Sequence, residues 1–256
     1  FIWVPFIVAA AFAAWFGMND LATAKASFAE QSVIFTRRHN WIMCWLYTGT
    51  FGSFIGYSAG FPLLARTQFP EVDALQLAFI GPLVGALSRS MTGWLSDRWG
   101  GGRVTFWVFV AMAAGVAGVV HFLNARDFYG FFAMFVLLFF ASGVGNASTF
   151  QMIPAIMRAE MARLLPGIAA EQKRKQAEKE SAAIIGFTSA IAAYGAFFIP
   201  KSYGSSIAAT GSPEMALWGF FVFYLSCIAV TWWVYTRRGG ILHAIERSRT
   251  APQPAA

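Results

Sequence analysis

Charge is scarce in this chain: Asp, Glu, Lys and Arg make up 12% of its 256 residues, against 57% hydrophobic side chains. No ordinary water-soluble domain of this length needs so much apolar surface for its core, so the surplus must face lipid. Cysteine is nearly absent. Cys44 and Cys227 both fall inside apolar runs, which excludes a disulfide framework and a thiolate metal cluster. The three histidines, His39, His121 and His243, have no carboxylate or cysteine partner at ligand spacing, so no metal and no cofactor is expected. No nucleophile and base, phosphate loop or ligand cluster occurs at chemically useful spacing, which argues against an enzyme. The basic balance, net +7 with a pI near 9.7, does not point to nucleic acid, because the basic residues sit in short loops between apolar runs.

Those runs fall at 1–18, 41–64, 74–95, 104–123, 128–155, 183–200 and 215–236. A bilayer core about 30 Å thick takes roughly 20 apolar residues per helix, so each run approaches membrane-spanning length. The fold class expected is therefore an all-α membrane protein. The chain begins at Phe1 within an apolar run and without an initiator Met, and it is read as part of a longer protein.

The loops alternate between two sides. Those at 20–40, 96–103, 156–181 and 237–256 carry fifteen Lys and Arg residues, including Lys25, Arg37, Arg38 and the basic run Lys173 to Lys175; those at 65–73, 124–127 and 201–214 carry three, Arg66, Arg126 and Lys201. Fifteen against three makes the first set, with the C-terminus, cytoplasmic. The longest loop, Glu171 to Glu180, alternates its charges and is expected to be solvated and helical. Trp41, Trp45, Trp94, Trp99, Trp232 and Trp233 lie at span ends, where aromatic rings anchor in the headgroup region.

One charged residue lies inside an apolar span: Arg89, in Gly81-Pro-Leu-Val-Gly-Ala-Leu-Ser-Arg-Ser90. An intramembrane arginine costs at least about 2.5–3.5 kcal/mol, so it either snorkels to the nearby cytoplasmic end or faces protein, water or a ligand. No Asp or Glu lies within any span to neutralise it. A mobile anion is the alternative, and a forked guanidinium matches a planar oxyanion with two parallel hydrogen bonds.

In the span at 41–64, Gly49, Gly52, Gly56 and Gly60 line one helical face and permit close helix approach. Tyr47 and Phe51, one turn apart, either sandwich a flat anion or pack on a neighbouring helix. Two further glycine-rich segments run from Gly143 to Pro154 and from Gly186 to Pro200. Asn146, Ser148, Thr149 and Gln151 need polar partners, which points them to a bundle interior. Glycine with a terminal proline also makes such helices bendable.

At Gly93-Trp-Leu-Ser-Asp-Arg-Trp-Gly-Gly-Gly-Arg103 the chain resembles the cytoplasmic loop motif of the major facilitator superfamily. That resemblance implies a charge network of Asp97, Arg98 and Arg103 that latches cytoplasmic helix ends. The segments Tyr47 to Pro62, Gly143 to Pro154 and Gly186 to Pro200 resemble the C-terminal half of the nitrate/nitrite porter family, NarK type, the last of them its second nitrate signature.

The resemblance implies that residues 1–19 end the sixth transmembrane helix, 20–40 link the halves, 41–236 form the C-terminal six-helix bundle and 237–256 a cytoplasmic tail. It implies substrate contacts from Arg89, Tyr47, Phe51, Gly186 and Ser189, with a second arginine from a missing N-terminal half. The expectation is nitrate/nitrite antiport by alternating access in a bacterial inner membrane, with nitrate, nitrite and the lipid bilayer as partners and no nucleic acid. A transporter of another small solute and a non-transporting anion sensor are the alternatives. Intramembrane carboxylates of a drug–proton antiporter are missing, as are the Glu, Asn and Gln pattern of a sugar carrier.

Overall fold

The computed structural model describes residues 3–18 and 27–237, all helical or in short connections, with no strand among them. Lys25, Arg238, His243, Arg247, Arg249 and the tail after Arg237 lie outside the described residues. The chain divides into two units, 1–33 and 34–256. The first contains α1, Trp3–Gly17, and a short capped turn of helix, α2, Phe28–Gln31. In α1 neither end turn carries a charge, and the Phe12 and Phe16 rings stack at 6.1 Å.

The second unit is a bundle. A continuous helical run is made of α3, Arg38–Tyr47, a π turn, Thr48–Gly52, and α4, Ser53–Gln68. A 3-10 turn at Ala74–Leu77 leads to α5, Ile80–Met91, and α6, Gly93–Trp99. Then come α7, Gly101–Asn124, α8, Phe128–Leu164, α9, Ala170–Ala193, α10, Gly195–Thr210, and α11, Glu214–Thr231, which ends in a π turn at Trp232–Thr236. Five of these stretches are long and apolar enough to cross a membrane: 74–91, 101–124, 128–164, 170–210 and 214–236. The run 38–68 is not among them, although it is buried by α8, α9, α10 and α11. Its Gly, Ser, Thr and Tyr content suits a helix whose solvent is protein rather than lipid.

Several connections are shorter than the hydropathy pattern predicts. α8 continues through Pro154 to Leu164, and α9 starts at Ala170, so the loop expected at 156–181 shrinks to residues 165–169. Met157 and Met161 on the extension are buried, and the surrounding Ala, Arg, Glu and Leu are good helix formers. At 37 residues, α8 is about 55 Å long at roughly 1.5 Å per residue, so its end stands beyond a bilayer core of about 30 Å. α4 and α10 likewise overrun their apolar stretches, to Gln68 and Thr210. Between α6 and α7 the chain reverses through Gly100 at φ 86°, a conformation that a Cβ would strain.

Glycine sets the closest helix contacts. A Cβ on Gly195, just after the break between α9 and α10, would collide with the carbonyl of Gly52, and one on Gly56 would collide with Gly195. The π turn therefore sits backbone to backbone on the break in the facing helix. Gly60 meets Tyr203 and Gly49 meets Phe109 and Cys227, so the glycine face predicted for this run does draw neighbouring helices in. Tyr194 occupies the break itself and is exposed. The six tryptophans assigned to span ends are all exposed as well.

Candidate functional site

α5 is pressed against α8 along Gly81, Gly85 and Ser88. Any side chain at Gly81 or Gly85 would meet Phe139, and Ser88 donates to the carbonyls of Gly85 and Phe140 at 3.0 and 3.2 Å. The opposite face, Leu83, Leu87 and Met91, is exposed. This packing fixes the rotation of α5 and turns Arg89 toward the π turn and α8. Its Cζ lies 5.9 Å from the centroid of the Phe51 ring and 5.9 Å from that of Phe150. Both separations are within cation–π range, about 6 Å.

Tyr47 and Phe51 stack on each other, centroids 5.2 Å apart and planes at 19°, and Tyr47 also approaches Phe150 at 6.4 Å. The rings thus pack on each other, and Phe51 also lies beside the arginine. The Tyr47 hydroxyl interacts with both the Arg89 guanidinium and the Ser189 side chain on α9. Four of the five expected substrate residues, Arg89, Tyr47, Phe51 and Ser189, are thus brought together from three helical segments. Gly186, one turn before Ser189, lies exposed with nothing within 4 Å of where its Cβ would be. It therefore leaves open space beside the cluster and makes no close packing contact. Phe150 escaped the sequence reading; its signal was an aromatic one turn beyond Asn146 in the glycine-rich segment of α8.

Behind this cluster is a layer of buried hydroxyls. Thr50 and Thr149 pair at 3.2 Å, and Thr105 and Ser148 at 2.8 Å. Asn146 is 1% exposed. Gln151, expected in the same interior, is instead exposed, because it falls between the buried pairs Ser148–Thr149 and Met152–Ile153, on the other side of α8. Chemically, the arrangement offers one forked cation, aromatic faces that admit a flat group, and two hydroxyl donors. Among the described residues no group of three or more His, Cys, Asp or Glu could hold a metal ion.

At one end of the bundle the helix ends are tied together by a set of polar contacts. Arg37 donates two hydrogen bonds to Glu180, 2.8 and 2.9 Å long, and Gln176 adds one of 2.9 Å. The hydrogen bond to Glu180 holds the Arg37 guanidinium above its ordinary pKa, against the opposing effect of burial. His39 and Tyr235 meet at 3.0 Å, and Thr236 donates to the Gly102 carbonyl. Asp97 and Arg98 on α6, and Arg103 on α7, are exposed.

No family model matches the chain. It is 50% identical to the nitrate/nitrite transporter NarU of Salmonella typhimurium, over 93% of this chain and 52% of that protein. It is 48% identical to NarU of Escherichia coli over 93% and 52%, and 37% identical to the probable nitrate/nitrite antiporter NarK2 of Thermus thermophilus over 93% and 51%. The chain spans about half the length of the curated relatives it matches. All three are named for transport and none for catalysis, in keeping with a chain that is not an enzyme. Membrane-length helices, an arginine beside aromatic rings on a glycine-packed helix and these relatives lead to one assignment: the chain is an all-α, multi-pass membrane protein of the nitrate/nitrite porter family, NarK type, within the major facilitator superfamily.

Proposed function

We propose that this chain supplies the C-terminal half of a nitrate/nitrite transporter that works by alternating access, exchanging one anion for the other. The observation that carries the reading is Arg89 held among Phe51, Phe150 and Tyr47 with no acidic residue within the apolar runs of the sequence to neutralise it. Arg89 neutralises the anion together with an arginine of the other half. Phe51 and Phe150 set the plane of the bound ion, and the Tyr47 and Ser189 hydroxyls donate to its oxygens. Gly186 leaves room for the ion to approach α9.

Without an anion, two arginines would face each other across a dry cavity, which disfavours reorientation of the empty carrier. Exchange of two monoanions is electroneutral and requires no proton-carrying carboxylate. In this reading residues 1–19 end the sixth helix, 20–40 form the linker between halves, 41–236 the six-helix bundle and 237–256 a tail. Asp97, Arg98 and Arg103 act with the opposite half in gating. The site of action is a bacterial inner membrane with the C-terminus in the cytoplasm, supported by the excess of basic residues on that side.

The test is counterflow in liposomes with the complete two-half protein. Nitrite-loaded vesicles should accumulate nitrate against its gradient, and Arg89→Lys should slow this by roughly ten- to a hundredfold. Accumulation that needs no internal anion, or that keeps its wild-type rate with Arg89→Lys, would refute the exchange mechanism.

A further inference from the structure

Asn146 is the exception among the buried polar side chains in the glycine-rich segment of α8. Ser142 donates to Phe139, Ser148 pairs with Thr105 and Thr149 with Thr50, yet neither the amide nitrogen nor the carbonyl oxygen of the fully buried Asn146 has a hydrogen-bond partner among the described residues. Its direction follows from its neighbours. Gly143 and Phe150 mark the face of α8 toward α5, where they meet Ser88 and Arg89. Gly145 and Thr149 mark the face toward the π turn, where both meet Thr50. At about 100° per residue, Asn146 falls between those two faces. It therefore projects into the wedge between α5 and the π turn, the wedge that Arg89 enters from one side and Phe51 from the other. A carboxamide retained in such a place, where an apolar side chain would avoid the desolvation cost, calls for a partner in some state of the cycle.

Resting on the exchange reading above, we infer that Asn146 is a positioning residue whose carbonyl oxygen accepts from the Arg89 guanidinium between anions. The long, exposed arginine swings from the anion to the carboxamide and back. A neutral acceptor suits this task because it is weaker than an anion and yields to one. A carboxylate at the same place would hold the arginine permanently, and an apolar residue would leave it waiting for the next anion.

The two substitutions consequently act in opposite directions. Asn146→Leu removes a competitor, so the half-saturating nitrate concentration should fall about threefold or more while exchange slows at the release step. Asn146→Asp, nearly isosteric, should raise half-saturation about tenfold or more at neutral pH and recover toward wild type on acidification, as the new carboxyl becomes neutral. Nitrate remains ionised throughout, so the pH profile reports the protein. The experiment is nitrate counterflow with the complete transporter in liposomes between pH 5 and 8, after size-exclusion chromatography establishes that each variant is folded. If the leucine variant does not fold, the aspartate pH profile decides alone. An aspartate variant that matches wild type at every pH, or a rise in half-saturation that acidification does not relieve, overturns the inference. Wild-type protein that moves no nitrate overturns the exchange reading instead.

Discussion

The helical run 38–68 and the closing helix α11 make an instructive pair. The first is rich in Gly, Ser, Thr and Tyr, fails the length-and-hydropathy criterion for a membrane span, and packs against five other helices, α5, α8, α9, α10 and α11. The second satisfies that criterion while presenting Met215, Trp218, Val222 and Leu225 outward. Hydropathy measures what a helix offers to lipid, so it passes over a polar helix whose neighbours are protein. The candidate site sits on the central run, as a polar, close-packed helix must be where ligand chemistry can be placed.

The widest separation between the two helices should come from adding the same side chain to each. Gly56→Val forces a Cβ against the Gly195 carbonyl as well as Ile199, and because backbone stands in the way, destabilisation should reach about 3 kcal/mol. Gly219→Val on α11 meets nothing within 4 Å and should leave the folded yield unchanged. Fluorescence-detected size-exclusion chromatography after heating measures both. Equal losses would show that α11 is as crowded as the central run.

Next in size is Arg89→Lys. It keeps the charge but loses the fork, and losing a charge-assisted hydrogen bond of about 1.5–3 kcal/mol lowers nitrate exchange by roughly ten- to a hundredfold. A matched change on a peripheral position, Trp218→Phe, should leave the rate within twofold or so, since Trp218 is an exposed ring on α11. Counterflow rates at equal protein density in the membrane check the pair.

Much of this was legible before any coordinates. Periodic apolar runs located the helices, the lone intramembrane charge singled out Arg89, and glycine spacing marked the face on which helices close. The rest needed three dimensions. Nothing in Thr48 to Gly52 announces a π turn, because an i to i+5 hydrogen bond leaves no compositional trace. Phe150 belongs to the site only because Gly143 lets α8 lie against α5. Glu180 looked like one more charge in a solvated stretch, yet it is 2% exposed and clasps Arg37 across 143 residues of sequence. Charge alternation describes the stretch and is silent on which single carboxylate turns inward.

That clasp gives the third prediction. Glu180→Gln removes the charge from a two-pronged hydrogen bond and leaves a partly buried Arg37, 20% exposed, short of one strong acceptor. The expected loss is about 1–3 kcal/mol, read as a lower melting temperature in detergent. Because the clasp joins the start of α3 to α9, the loss should appear with little change in the nitrate half-saturation at Arg89.

The smallest effect belongs to the neighbouring pair. Arg174 bonds Glu171 at 3.0 Å and Glu178 at 3.1 Å, distances as favourable as those of the buried clasp, but all three side chains are more than half exposed. Water screens such a pair and competes for its hydrogen bonds, and ordering three long side chains costs entropy. Arg174→Ala should therefore leave the melting temperature unchanged within error, at low salt and at high. Glu180→Gln and Arg174→Ala lie on one helix and remove ionic contacts of similar length, so they differ chiefly in burial. Equal shifts from the two would mean that the inward turn of Glu180 contributes nothing, and the distinction between the buried and the peripheral face of this bundle would fail at the end where α3 meets α9.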